Sequence, residues 1–452
     1  MTCKPERNSS PICEFLEAYN RQQTVRLHMP GHKGRMPDSY PAFLQQAAPF
    51  DLTEIAGADA LYEAEGIIAQ SEALTAQLYG SRYTCYSAGG STLSILTMVS
   101  LAARRYGRRI LAARGTHLAF VNACALTGAE PVWVYPAYRQ EEGLCAMVTP
   151  EEIDTAMAGH PDIRLVYITS PDYYGRIADV KTIAEVVHRR GGILLCDSAH
   201  GSHLPFAPGV DHPIALGADL CCDSPHKTLP VFTGGSLFHT NLPLTPHEIK
   251  GEMSLYGSTS PSYLIMASLD ACQCWLHKTG KAAFKALDHR VWAVKAALKA
   301  QGVTLMDTQD CTKITLDCQA MGYTHEQIGT ALRQQGCEPE FCGGGKVVLM
   351  VSPQTPDADF ERLIMALRLP RLPALPYPML EMERPEQAVP VREAVLAPAE
   401  EVPVEQAVGR IAAATRISCP PGIPIVAAGE KIGDNQKNLL KNSGIFSLFV
   451  IK

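Results

Sequence analysis

No stretch of this 452-residue chain approaches 18 consecutive apolar residues, so a membrane-spanning helix is not expected. The first fifteen residues, MTCKPERNSSPICEF, contain no apolar core, which argues against a secretory signal. Positive charge is not in excess. Lys and Arg number 40 against 46 Asp and Glu, for a net charge of −6 and a pI of about 6.2. A general nucleic-acid or anionic-membrane binder is thereby disfavoured. No internal repeat is present, and the fifteen cysteines form no pair of CxxC ligand sets. Cys221–Cys222 and Cys272/Cys274 are spaced too closely for that. The expectation is reduced core cysteines in a cytoplasmic protein, with no metal.

What is there is a regular alternation. Seven short apolar runs, at 83–89, 108–114, 130–136, 164–171, 191–198, 218–224 and 235–240, are each bounded by Gly, Pro, Ser or charge. Helical spacing at 66–80 precedes them and fills gaps between them, most clearly at 91–107 and 180–192. Strands apolar on both faces and separated by helices predict a mostly parallel sheet covered by helices. A long helical pattern from about 264 to 301 opens a second region, which continues through 312–318, 325–336 and 346–353 as a smaller α/β domain. The expected organisation is an N-terminal segment 1–45, a large domain 46–275 with a seven-stranded sheet, and a small α/β domain 276–368. A Pro- and Glu-rich linker 369–405 and a C-terminal unit 406–452 follow.

Ligands of open α/β sheets bind beyond the C-terminal strand ends. Four strand exits carry unusual residues. In SAGGSTLSI, 87–95, Gly89 and Gly90 lead into Ser91 and Thr92 at the start of an apolar helix, where free N–H groups and hydroxyls suit an anion. The turn is neither a GxxxxGK[ST] nor a GxGxxG loop, and Ser91 could be a plain N-cap. ARGTHLAF, 113–120, places His117 after a strand. LLCDSAHGSH, 194–203, ends a strand on Asp197, followed by Ala199 and His200; a buried carboxylate there needs partners or serves as a turn cap. CCDSPHKTLP, 221–230, places Lys227 just past a strand with Ser224 and His226 before it. Each alone has an ordinary structural explanation. Together they supply what pyridoxal 5'-phosphate requires. A hydroxyl-lined helix start takes the phosphate, a ring can stack, a carboxylate pairs with the pyridine nitrogen, and a lysine forms a Schiff base with the aldehyde. Their order fits a large domain of the aspartate-aminotransferase type, fold type I.

The chain closely resembles the bacterial Orn/Lys/Arg decarboxylases. The resemblance is carried by HMPGHKG (28–34), DLTEIAGADAL (51–61), SPDYYG (170–175), CDSAHGSHLPF (196–206), SPHKTLP (224–230), STSPSYLIMASLD (258–270), AVGRIAA (407–413) and CPPGIPIVAAGE (419–430). It implies that Lys227 is the cofactor lysine, Asp197 the pyridinium partner and His117 the stacked imidazole. Ala199 and His200 would line the ring, Gly90, Ser91 and Thr92 the phosphate, and Ser224 and His226 the approach to Lys227. It also implies decarboxylation of lysine, ornithine or arginine to a polyamine-precursor amine, in a homodimer or higher oligomer with shared sites. The pattern departs from the family at Gly90, Leu118, Asp172, Cys419 and Ala428, where the family usually has Thr, Lys, Thr, Tyr and Pro. The resemblance implies the short form of the family, without an N-terminal receiver-like domain. Asp172, the N-terminal segment and the C-terminal unit are the candidates for reading the substrate's distal cation. Two readings stay open beside decarboxylation. One is another reaction on the same scaffold, a carbon–carbon lyase or an aminotransferase, of which the aminotransferase would need a carboxylate-clamping arginine such as Arg290 or Arg333. A non-catalytic regulatory paralogue would not need the intact Lys227, Asp197 and His117.

Overall fold

The computed structural model describes residues 8–377, 384–418 and 423–452. Each of the seven apolar runs is a strand: β1 Tyr83–Ser87, β2 Arg109–Ala113, β3 Glu130–Val134, β4 Leu165–Thr169, β5 Ile193–Ser198, β6 Leu220–Asp223 and β7 Ser236–Thr240. They form one sheet in the order β1-β7-β6-β5-β4-β2-β3. β2 pairs in parallel with β3 and β4, while β7 runs antiparallel to both β1 and β6. The large, mostly parallel sheet expected from the sequence is therefore present. Its strands are short and apolar on both faces because helices cover both sides.

The chain divides into two compact units, 1–101 with 197–285 and 102–196 with 286–452. In the first, helices α1 Pro11–Arg21, α2 Ile67–Tyr79 and α3 Gly90–Tyr106 accompany β1, β6 and β7. Two of its helices have no side-chain cap from their own N-cap residue, and acids from distant motifs take that role. Asp59 accepts the N–H groups of Gly66 (2.8 Å) and Ile68 (3.0 Å) at the start of α2. Asp270 accepts those of Ile12 (2.9 Å) and Cys13 (3.0 Å) at the start of α1. Amides left unpaired at a helix start are thus closed by carboxylates, which the helix dipole also favours. The long helical pattern from 264 is interrupted. Tyr263–Trp275 passes through a π-helical turn, Leu276–Gly280, into Lys281–Ala300. A Cβ at Gly280 would come within 3.0 Å of the Phe206 ring, so a side chain there would press on that ring.

The second unit holds β2, β3 and β4 with helices α4 Leu118–Thr127 and α5 Val180–Arg189. It also contains an antiparallel sheet of β8 Lys313–Asp317, β9 Phe341–Gly343 and β10 Lys346–Met350, in the order β8-β10-β9. At the C-terminal end, β11 Ala399–Pro403 pairs with β14 Ser447–Ile451, and β12 Arg416–Ser418 with β13 Ile423–Val426. Val404, Ala412, Val426, Ile432, Leu440, Leu448 and Val450 give this end its own core. Residues 399–403 of the Pro- and Glu-rich stretch thus belong to a sheet. Arg114, the residue after β2, is only 1% exposed and is fixed by the C-terminal end. Its Nη1 and Nη2 donate to both oxygens of Glu430 (2.6 and 2.7 Å), its Nε donates to the Pro424 carbonyl, and its guanidinium lies over Trp133 and Tyr135. Among the described residues, no helix is long and apolar enough to cross a membrane.

Candidate active site

Lys227 lies in the single helical turn α6 Pro225–Thr228, directly after β6. Its Nζ is 3.1 Å from His200 Nε2, an imidazole that is 7% exposed and follows β5 by two residues. Asp197 is 1% exposed near the end of β5. Its Oδ1 accepts the N–H of Ala199 (3.1 Å) and faces the Cys222 thiol (3.8 Å) on β6. The two adjacent strand ends therefore bring the sequence-predicted carboxylate, imidazole and lysine into one unit.

The helix start expected to hold an anion begins at Gly90, as α3. Gly90 has φ +68°, a conformation that side chains other than glycine adopt with strain. Its N–H is already committed to the Gly234 carbonyl (2.8 Å), so the offer to an anion comes from the following turn, where Ser91 and Thr92 stand. The Gly234–Gly235 pair connects this helix start to the lysine turn. His226 Nδ1 lies 2.9 Å from the Gly235 carbonyl and donates to it, and a Cβ on Gly235 would come within 2.5 Å of Val231. Ser224 is completely buried before Lys227, gives no cap bond to its helix, and its Oγ has no hydrogen-bond partner. Thr228 Oγ1 is in the same state. Buried hydroxyls without partners are costly. Two of them beside a lysine and a free helix start fit a group that brings its own acceptor oxygens. This donor set suits the phosphate, pyridine nitrogen and aldehyde of pyridoxal phosphate.

His117 belongs to the second unit. It is exposed at the start of α4, and its Nδ1 accepts the N–H of Ala119 (3.1 Å), so it acts there as an N-cap. Leu118 beside it is 38% exposed. Asp172, a candidate reader of the substrate's distal cation, is engaged by its own loop. Its Oδ1 accepts the N–H groups of Tyr174 and Arg176, and its Oδ2 pairs with Arg176 Nε at 2.7 Å. Cys419 lies outside the described residues, and Ala428 is completely buried. Sequence reasoning passed over Arg114 and Glu430, and also His212, Asp223 and His239. An arginine ending an apolar strand was the available signal for the first pair.

A mostly parallel seven-stranded sheet with lysine and carboxylate at adjacent strand ends defines the class of fold type I pyridoxal phosphate enzymes. Residues 10–319 match the family described as Orn/Lys/Arg decarboxylase, major domain, and residues 376–443 match Orn/Lys/Arg decarboxylase, C-terminal domain. The chain belongs to the Orn/Lys/Arg decarboxylase family. It is 28% identical over 461 residues to an arginine decarboxylase of Bacillus subtilis (strain 168), covering 96% of this chain and 94% of that protein. Among solved structures it resembles the Francisella novicida lysine decarboxylase LdcF (TM-score 0.83, 17% identity, 98% of this chain and 81% of that one). It also resembles lysine decarboxylase A from Pseudomonas aeruginosa (TM-score 0.84, 18% identity, 98% and 80%).

Proposed function

We propose that this chain uses pyridoxal 5'-phosphate to decarboxylate a basic amino acid, with arginine the first candidate, giving agmatine and carbon dioxide. The observation that carries the reading is Lys227 Nζ beside His200, one strand end from the buried Asp197. Arginine comes first because relatives matched over nearly their whole length carry the name arginine decarboxylase. When bound, the cofactor supplies an electron sink for the pair left by the departing carboxylate. Lys227 is the residue that would hold the cofactor's aldehyde, and its amine would carry the proton to be returned to the substrate's α-carbon. Asp197 keeps a proton on the pyridine nitrogen. Ser91, Thr92 and the open amides of α3 bind the phosphate, and Ser224 completes its shell. His200 Nε2 orients the lysine amine. The stacking role of His117 rests on the resemblance.

An arginine that clamps an α-carboxylate would favour transamination, but Arg290 is paired with Asp357 and Arg333 with Glu338. The test supplies the purified chain and cofactor separately with arginine, lysine and ornithine, and quantifies amine and carbon dioxide. One amine should appear in a one-to-one ratio with carbon dioxide. Lys227→Ala should make neither and lose covalent cofactor while keeping the wild-type melting temperature. A keto acid without carbon dioxide, or undiminished turnover by Lys227→Ala, would refute the proposal.

A further inference from the structure

Asp223 closes β6, the strand that leads into Ser224 and Lys227. Successive strand residues face opposite sides, so its carboxylate points away from the side on which Cys222 meets Asp197. There it is completely buried against two completely buried histidines. His212 Nε2 lies 3.1 and 3.0 Å from its two oxygens, and His239 Nε2 lies 3.1 Å from Oδ2. Strand register makes the cluster. His239 stands directly opposite Thr84 on β1 and opposite Cys221 on β6, hence diagonal to Asp223 on the same face. Tyr79 packs against both imidazoles, at 5.2 Å from His212 and 4.5 Å from His239.

Two imidazoles and a carboxylate could hold a metal ion, or the two rings could hold the carboxylate. The outer nitrogens decide. The Ile214 N–H donates to His212 Nδ1 (3.3 Å), so that nitrogen carries a lone pair and the ring proton sits on Nε2, aimed at Asp223. A metal on Nε2 needs the opposite tautomer, which would set two hydrogens against each other. His239 is less constrained, since its Nδ1 faces Thr84 Oγ1 (2.8 Å), a hydroxyl able to donate or accept. Burial pushes the Asp223 carboxyl up, but the imidazoles, His212 foremost, outweigh it and hold it well below the ordinary range. The Asp223 carbonyl in turn accepts the Ser236 hydroxyl (2.6 Å), which meets Ser94 Oγ (2.9 Å) on α3. One residue thus ties the lysine-bearing strand end to the helix whose start carries Ser91 and Thr92.

We propose that Asp223, gripped by the N–H groups of His212 and His239, is a positioning residue that sets the lysine turn against α3. The inference rests on Lys227 being the cofactor lysine. Asp223→Asn can satisfy the site, with its oxygen toward His212 and its amide toward His239 once that ring takes its other tautomer. Asp223→Ala leaves both ring N–H groups without partners.

The test compares wild type, Asp223→Asn, Asp223→Ala and Thr84→Val. It reads the melting temperature of cofactor-free protein, metal content by mass spectrometry, the rate of pyridoxal phosphate attachment to Lys227 trapped with borohydride, and kcat and KM. The expected result is metal-free wild type. Asp223→Ala should be folded but attach cofactor and turn over at least tenfold more slowly, with KM changed less than threefold. Asp223→Asn should restore both rates to within threefold. Thr84→Val, which removes only the outer partner of His239, should slow attachment two- to fivefold and decides the matter if Asp223→Ala does not fold. Attachment at the wild-type rate in folded Asp223→Ala, or in Thr84→Val where the alanine variant does not fold, would overturn the proposal. So would one tightly held metal ion per chain. Failure of wild type itself to attach cofactor at Lys227 is a separate result, which would overturn the functional reading and this inference with it.

Discussion

Asp197→Asn should keep the cofactor and lower kcat by about 10²–10³, the usual cost of deleting one preorganised electrostatic partner in a buried site. Steady-state kinetics together with the cofactor absorbance band check this. A variant within twofold of wild type would mean that Asp197 serves only the turn at Ala199. A second expectation at this scale concerns acid. Burial holds His239 below the ordinary imidazole range, against the opposing pull of Asp223. The unfolded chain therefore takes up this proton first as pH falls below about 6.5, and the folded state loses stability on acidification from there. Asp223, held low, acts in the same direction. Its contribution is present above the unfolded value of about 3.9 and is lost only as pH falls through the lower folded value. His239 faces Asp223, His212, Tyr79 and Thr84. Melting temperatures between pH 7 and 5 should fall less steeply for His239→Gln than for wild type. Parallel slopes would assign the acid sensitivity elsewhere.

At the level of elements, the seven sheet strands were legible because each is a short apolar run cut off by Gly, Pro or charge. Lys227, His200 and Asp197 were legible because strand ends collect the polar residues that a strand interior excludes. The His212–Asp223–His239 cluster was not, since it depends on which residue of β7 stands opposite which residue of β1 and β6. Nor were the caps from Asp59 and Asp270, which reach helices by way of tertiary packing rather than the local cap position. The π-helical turn at Leu276–Gly280 was hidden for a similar reason, as the ring that crowds Gly280 comes from position 206. The Arg114–Glu430 pair gives the sharpest expectation at this scale. Glu430→Ala leaves a buried guanidinium uncompensated and should cost about 3–5 kcal/mol. It should lower the denaturant midpoint far more than Glu400→Ala, whose Arg410 partner is a third exposed. Equal effects of the two would show that Arg114 finds other partners.

For the whole molecule, the expectation is a homodimer with shared sites. Leu27, Phe43, Phe232 and Leu255 of the first unit are 90%, 68%, 61% and 64% exposed and would be the apolar side chains available to a second copy. The exposed loop at 258–260 is the proposed donor to a neighbour's phosphate pocket. Mixing inactive Lys227→Ala with a Ser258→Arg/Thr259→Arg variant should restore activity as subunits exchange. No recovery, with a monomeric mass at full wild-type activity, would exclude sharing.

The Arg114–Glu430 pair also sets an order in time. Its two residues are 316 positions apart. At ribosomal speeds of roughly 5–20 residues per second, the arginine is made on the order of 15–60 s before its carboxylate. Until then a cation destined for the interior has no counter-charge, and the end of β2, just before His117, cannot close over it. The second unit therefore cannot complete this pair until position 430 has been made, and a chain truncated before position 430 should leave the guanidinium at the end of β2 without its carboxylate.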